Sequence, residues 1–359
     1  MWRYFSVSTD TWAGKVELEP SEFTGGRSLN SGQGGTARFN VRDARTAAPL
    51  TIDTLRPWER ILVAEWDGNA VYAGFITGVD EDLDAGTVTV RHQDIWSLWE
   101  SRHVLTVRGD GAQSAAPFTL TSKTLPTIAF RLVANAMTGD PAARYDLPLI
   151  MNADVSGTET RTYYGYKFQR TAAALKEITD ADGGPDIDFD TQWDNGTETF
   201  RWVMRCGALT QGLWEWDATA AKKEVFGLTL KTDASKVANR VIATGEGSER
   251  NMIVRDDDSF TGTGPALEAV KSYQGMPDGG QLQQRATADL NASNDPTQQM
   301  SFKIRANGSV TAADLILGGT CRVKTSGLYF LTADWHEWRL IGFTFDRDWI
   351  TLQIQEIGG

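Results

Sequence analysis

Residues Val71 to Arg102, VYAGFITGVDEDLDAGTVTVRHQDIWSLWESR, constrain the fold more than any other stretch. Val71, Ala73 and Phe75 alternate along the chain and Thr77 continues the series, so one face of an extended segment is apolar. Asp80, Glu81, Asp82, Asp84 and Gly86 then supply turn chemistry. Val88 and Val90 alternate with Thr87, Thr89 and Arg91, which predicts a second half-buried strand. Asp94 can accept a backbone N–H and cap a helix whose Ile95, Leu98 and Trp99 share a face. A hairpin feeding a tethered helix is a building unit and carries no chemistry by itself.

The same signals recur on both sides. Over residues 1–106, strands are predicted at Val16–Leu18, Ala37–Val41 and Ile61–Trp66, with Asp67-Gly68 or Gly68-Asn69 turning the last back into Val71. Gly25 to Gly35, rich in Gly and Ser, reads as a mobile loop. Over 107–224, helix and strand mix. Ile128, Leu132, Val133 and Ala136 share a helical face, with Pro126 in the first turn and Gly139 as the stop. Thr171 is expected to cap a second helix bearing Ala174, Leu175 and Ile178. Ile187 and Phe189 alternate with aspartates, and Asp194-Asn195-Gly196 predicts a hairpin turn. Over 225–359, Leu282, Ala286 and Leu290 mark one helix, and Ile341 to Phe345 pairs with Ile350 to Ile354 across Asp346-Arg347-Asp348. Gly74-Phe75-Ile76-Thr77 followed by Val88 and Val90 echoes Gly342-Phe343-Thr344-Phe345 followed by Ile350 and Leu352. The fold class expected is mainly β with an α/β insert.

Composition excludes several functions. The 359 residues carry a net charge of −12, so a basic face that grips phosphates is disfavoured, whereas an acidic wall lets DNA slide. Cys206 and Cys321 fit neither a metal motif nor a disulfide framework and read as two buried free thiols. The start, MWRYFSVSTDTW, lacks a signal peptide, and no run approaches the ~20 apolar residues of a membrane span. No stable membrane insertion is expected.

Candidate chemistry is concentrated in one acidic cluster. Asp180, Asp182, Asp186, Asp188, Asp190 and Asp194 could bind calcium or work as paired carboxylates. The preferred reading is plainer: a solvated or lumen-facing acidic face on a strand whose other face is Ile187 and Phe189. Asp256-Asp257-Asp258 is read the same way. His92, His103 and His336 are taken as structural or surface residues, since no zinc-peptidase motif or nucleophile elbow accompanies them. Trp214, Trp216, Trp335, Trp338 and Trp349 could stack on sugars, but packing is the preferred reading.

Taken in order, these segments resemble the tail-tip or baseplate hub proteins of long-tailed bacteriophages. That group includes minor tail proteins and the N-terminal hub part of tail-associated lysins, with the secretion spike protein VgrG as a more distant relative. The resemblance rests on Val71-Tyr72-Ala73-Gly74-Phe75-Ile76 leading to Trp96–Arg102, Arg170–Ile178, Lys236–Gly245, the Gln281–Leu290 helix and the closing hairpin. It implies two tail-tube-like β-barrel domains, 1–106 and 225–359, joined by the 107–224 insert. It further implies a homotrimer whose pseudo-sixfold ring adapts a sixfold tail tube to a threefold spike or fibre. The partners implied are the distal tail or tube protein and the tape-measure and spike or fibre proteins, with DNA passing through the lumen without specific binding. The implied place is the tail tip of a virion. Many relatives carry a further enzymatic or fibre domain, and this chain ends at Gly359 after the last hairpin. No catalysis is therefore expected, and no catalytic residue, metal ligand or cofactor is assigned. Two alternatives stay open: a tail-tip glycosidase or carbohydrate-binding module, and a secretion-system spike component.

Overall fold

The computed structural model describes residues 1–107, 113, 116–181, 183–194, 196–247, 249–259, 262, 264–273 and 278–357. Among the described residues, strands hold 43 % and helices 16 %. The first part contains β1 (Trp2–Ser8), β2 (Val16–Leu18), β3 (Glu22–Phe23), β4 (Gly25–Ser28), β5 (Gly34–Asn40), α1 (Ala44–Ala47), β6 (Arg60–Trp66), β7 (Asn69–Asp82), β8 (Thr87–Gln93) and α2 (Trp96–Ser101). The middle part has β9 (Phe118–Lys123), α3 (Leu125–Ala136), β10 (Leu149–Ile150), β11 (Glu159–Tyr163), α4 (Thr171–Thr179), β12 (Asp186–Asp194), β13 (Thr199–Gly207) and β14 (Leu213–Asp217). Then follow β15 (Phe226–Asp233), β16 (Arg240–Thr244), β17 (Val254–Asp257), β18 (Glu268–Ser272), α5 (Gly279–Ser293), β19 (Thr297–Arg305), β20 (Thr320–Lys324), β21 (Trp335–Phe345) and β22 (Trp349–Glu356).

Two seven-stranded sheets dominate. The first runs β2-β1-β6-β7-β8-β5-β3, with every neighbouring pair antiparallel. The second runs β14-β20-β21-β22-β19-β15, with β4 added on β21. With β2 and β4 set aside, the strand order is the same in both. The strands β1, β3, β5, β6, β7 and β8 take the places of β14, β15, β19, β20, β21 and β22. The sheets differ at one edge, where β1 is antiparallel to β6 but β14 is parallel to β20. The echoing segments fall on corresponding hairpins, β7–β8 and β21–β22. No closed barrel is found among the described residues.

Local chemistry explains the elements. The β6–β7 turn places Asp67 at φ +46° and Gly68 at φ +87°, the left-handed pair that a two-residue hairpin turn requires. Thr124 caps α3 by accepting the Thr127 N–H, and Pro126 sits in the first turn, where a missing N–H costs nothing. Thr171 does not cap α4. The cap position falls on extended Arg170, because the Thr171 N–H donates to the Arg102 carbonyl at 2.9 Å, making Thr171 the first helical residue. Nor do Asp80, Glu81 and Asp82 form the turn after β7. They continue the strand opposite Thr89, Val88 and Thr87. The hairpin therefore projects farther than the sequence pattern implies.

The chain divides into two compact units, one of residues 1–227 and 302–353, the other of 228–301 and 354–359. In the first, Phe5, Val63 and Phe75 of the first sheet share one apolar core with Ile128 and Val133 of α3, Leu175 of α4 and Trp202 of β13. Trp202 lies 5.8 Å from the Phe75 ring and 5.4 Å from that of Trp12. In the second, α5 covers the small β17-β16-β18 sheet. Leu282 and Ala286 pack on Ala243, and Leu290 packs on Val241, the four-residue spacing read from sequence. No helix among the described residues is long and apolar enough to cross a membrane.

Candidate functional site

The segment read as a mobile loop is the strand that organises the first unit. Gly25–Ser28 leaves the first sheet and pairs antiparallel with β21, Arg27 opposite Phe343 and Gly26 opposite Thr344. Only glycine allows this approach. A Cβ on Gly26 would sit 2.5 Å from the Phe343 carbonyl oxygen, and one on Gly25 would sit 3.1–3.3 Å from the rings of Phe345, Tyr72 and Phe23.

Arg27 is buried and reaches into the acidic cluster. Its guanidinium donates to Asp188 Oδ2 at 2.7 Å and pairs with Asp190 Oδ1 at 2.7 Å. Arg205 of β13 adds a second donor to Asp188 at 3.2 Å. Arg339 of β21 pairs with Asp186, which also accepts from Asn30 Nδ2 at 3.2 Å. The Asn30 side-chain oxygen in turn accepts the Ile187 N–H at 2.7 Å. Burial opposes the charge on Arg27, but Asp188 and Asp190 more than offset it and raise its pKa.

The polar side of β12 is thus not a uniformly solvated row. Asp188 is 2 % exposed beneath Arg27 of β4, and Asp186 lies against Arg339 of β21, while Asp190 and Asp194 stay half-buried. Two members lie apart from the clamp. Asp194 accepts the Gly196 N–H and pairs with Arg201, which holds its carboxyl below the usual range. Asp180 pairs with Lys176 at 3.0 Å. Asp182 lies outside the described residues, as does Asn195 of the hairpin turn. In the second unit, Asp256 pairs with Arg240, and Asp257 accepts from Thr287.

The arrangement ties β4, β13 and β21 to β12 through ion pairs. No group of three or more His, Cys, Asp or Glu among the described residues is placed to hold a metal ion. A glycosidase needs an accessible carboxyl acid beside a second carboxylate. Here two guanidinium groups cover Asp188, the most buried carboxylate of the cluster. The cavity beside Arg27 and Asp188 measures about 10 Å³, room for one water, and the groove at Gln33, Asp94 and Glu100 about 110 Å³. Substrate pockets run to roughly 300–1,000 Å³.

The other candidates are structural. His92 is buried and hydrogen-bonded through Nδ1 to the Tyr72 hydroxyl at 2.8 Å. His103 pairs through its backbone with Arg170, and His336 Nε2 bonds the Thr332 carbonyl. Trp214, Trp216 and Trp338 are buried, and the half-buried Trp349 lies 3.9 Å beneath the Arg305 guanidinium. Of the five tryptophans weighed for stacking, Trp335 alone is exposed. Both cysteines are free. Burial pushes each thiol up to about 12, although Cys206 is only half-buried.

Asp94 gives the site a pH dependence. Its carboxylate accepts the Gln33 and Trp96 N–H groups at 2.6 and 3.1 Å, yet burial raises it to about 7. A folded pKa above the unfolded one means stability is fully present below about pH 4 and is lost as pH rises through 7. Asp94→Asn should therefore flatten the decline between pH 4 and 7, a difference of a few kcal/mol in urea unfolding. Buried His92, lowered to about 3, acts oppositely and is common to both proteins. Parallel pH profiles for the two would refute the assignment.

Sequence reasoning found the carboxylates and missed Arg27, Arg205, Arg339 and Asn30. The available signal was the Gly25-Gly26 pair before Arg27, which marks close backbone approach.

No protein-family profile and no curated protein sequence matches this chain. Solved structures do. A tail protein from Neisseria meningitidis MC58 superposes with a TM-score of 0.60 at 13 % identity, covering 99 % of this chain and 97 % of its own. The 43 kDa tail protein of prophage MuSo2 from Shewanella oneidensis gives 0.58 at 9 % identity, covering 99 % and 98 %. An E. coli component of the type VI secretion system gives 0.50 at 10 % identity, covering 95 % of this chain and 74 % of its own. From end to end, the chain has the fold of phage tail proteins, a fold also found in the type VI secretion system.

Proposed function

We propose that this protein is a structural hub at the tip or baseplate of a phage tail, acting through symmetry matching and not through catalysis. The observation that carries the reading is the strand order repeated in the two seven-stranded sheets. Three copies of a chain with two equivalent sheets present six similar elements, which suits a junction between a sixfold tube and a threefold spike or fibre. In this reading, the two sheets are the tube-like elements: the first lies within 1–106, the second takes most of its strands from 225–359 together with β14 and β4, and the rest of 107–224 is the insert. Pairing of sheet edges between copies closes the barrels and removes exposed strand edges. A net charge of −12 suits a channel wall that DNA crosses without sticking. The partners are further copies, the distal tail or tube protein, and the tape-measure and spike or fibre proteins, in the tail of a virion.

The test is the assembly. Sedimentation of the purified chain should give a trimer, and class averages of negatively stained particles should show threefold rings with six lobes. A chain that stays monomeric at high concentration and with its tail partners would end the proposal. The likeness to the secretion-system component favours a second reading, a spike part of a contractile secretion apparatus. Selective binding to a secretion tube protein over a phage tube protein would support that reading.

A further inference from the structure

The α/β insert presents an exposed aromatic turn of unusual build. Tyr164, Tyr166 and Phe168 are 41 %, 54 % and 59 % exposed. Phe168 has φ +46° and ψ +40°, a left-handed conformation that a bulky residue avoids. The turn is held from beneath. The Phe168 N–H donates to the Gly165 carbonyl at 3.0 Å, and the Val104 and Thr171 N–H groups bond the Gln169 and Arg102 carbonyls at 2.9 Å. Gly165 is buried against Gln113 and Thr106, where a Cβ would collide. Lys167 lies over the Tyr164 ring at 5.6 Å. From Arg161 to Arg170 there is no acidic residue, in a chain with 47 acids. Neither Lys167 nor Arg170 has an ion-pair partner among the described residues. A rigid platform of exposed aromatics with an adjacent Arg has the residue types enriched at interfaces, and its unpaired cations favour an acidic partner.

A complementary element lies on the same chain. The long β7–β8 hairpin ends in Glu81-Asp82-Leu83-Asp84, with Leu83 87 % exposed. Glu81 and Asp84 have no ion-pair partner among the described residues. Asp80 is taken by Arg91, and Asp82 Oδ1 accepts the Ala85 N–H at 2.8 Å, which fixes the tip. Both surfaces are exposed in the single chain, so they are free to meet between copies.

We infer that the acidic β7–β8 tip of one copy docks on the Tyr164–Arg170 turn of the next. Leu83 packs among the rings, with Glu81 and Asp84 facing Lys167 and Arg170. Such a head-to-tail contact closes a ring when the rotation permits. The inference rests on the self-association proposed above and names its contact.

The experiment pairs charge reversal with cross-linking in the full chain. Lys167→Glu with Arg170→Glu, and separately Glu81→Lys with Asp84→Lys, should each weaken association about tenfold or more. Combining all four should restore it. Leu83→Cys with Tyr166→Cys should give covalent dimers and trimers on oxidation, lost on reduction. These sites are on the surface, so thermal unfolding should stay near wild type. A trimer unaffected by either reversal, with no cross-link, would overturn this contact and leave the hub reading standing. A monomeric wild-type chain would overturn both.

Discussion

Arg27→Met should destabilise the protein by about 3 kcal/mol or more, measured as a lower urea midpoint at unchanged slope. The substitution leaves Asp188 buried with Arg205 as its remaining cation and removes both contacts to the cluster from β4. A buried carboxylate that loses its closest charge partner costs far more than an exposed ion pair contributes, which is the reason for so large an effect. Arg27→Lys keeps the charge but cannot reach two carboxylates as a planar fork does, so its loss should be intermediate. Arg27→Met with Asp188→Leu should recover part of the loss, since it removes the most buried charge of the cluster, although Arg205 and Asp190 lose these partners. A change below about 1 kcal/mol for the single variant would place the clamp among ordinary surface pairs.

Trp202→Ala should cost about 3–5 kcal/mol, the loss expected for an emptied aromatic site in a packed core. Trp202 is fully buried, 4.6 Å from the Phe200 ring, and stacks on Phe75 of the first sheet. Trp202→Phe should lose less, because the ring contact with Phe75 survives. The same packing predicts that residues 107–224 expressed alone will not give a cooperative unfolding transition. Their core uses Phe5, Val63 and Phe75 from outside the segment. A sharp transition of the isolated segment, close in midpoint to the full chain, would show that the shared core contributes little.

Both predictions concern features that pattern reading reached only halfway. Alternation at Ile187 and Phe189 located β12, but the same alternation assigned Asp186, Asp188 and Asp190 to an open face. Period 2 shows which residues share a side and never what covers that side. The cover came from Arg27, 161 positions away, and from Arg339, 153 positions away. Gly25-Gly26 failed as a loop signal for a related reason. Glycine permits a turn and also permits the closest approach of two backbones, and the neighbour decides which. Thr171 shows the limit at smaller scale, since a good capping residue was overruled when its N–H found the Arg102 carbonyl.

The sequence by itself determined the mainly β class, the hairpins over Val71–Val90 and Ile341–Ile354, helices α3 and α5, and the echo that placed corresponding strands at the two ends. Those features follow from neighbours within a few positions, where side-chain spacing and turn dihedrals act directly. The tertiary structure alone decided that a glycine-rich segment becomes a strand of the second sheet, that the acidic row is closed by arginines, and that the first sheet and the insert share a core. Each of these joins residues far apart in the chain, and the energy of a buried contact depends on the partner that arrives, which no local pattern encodes.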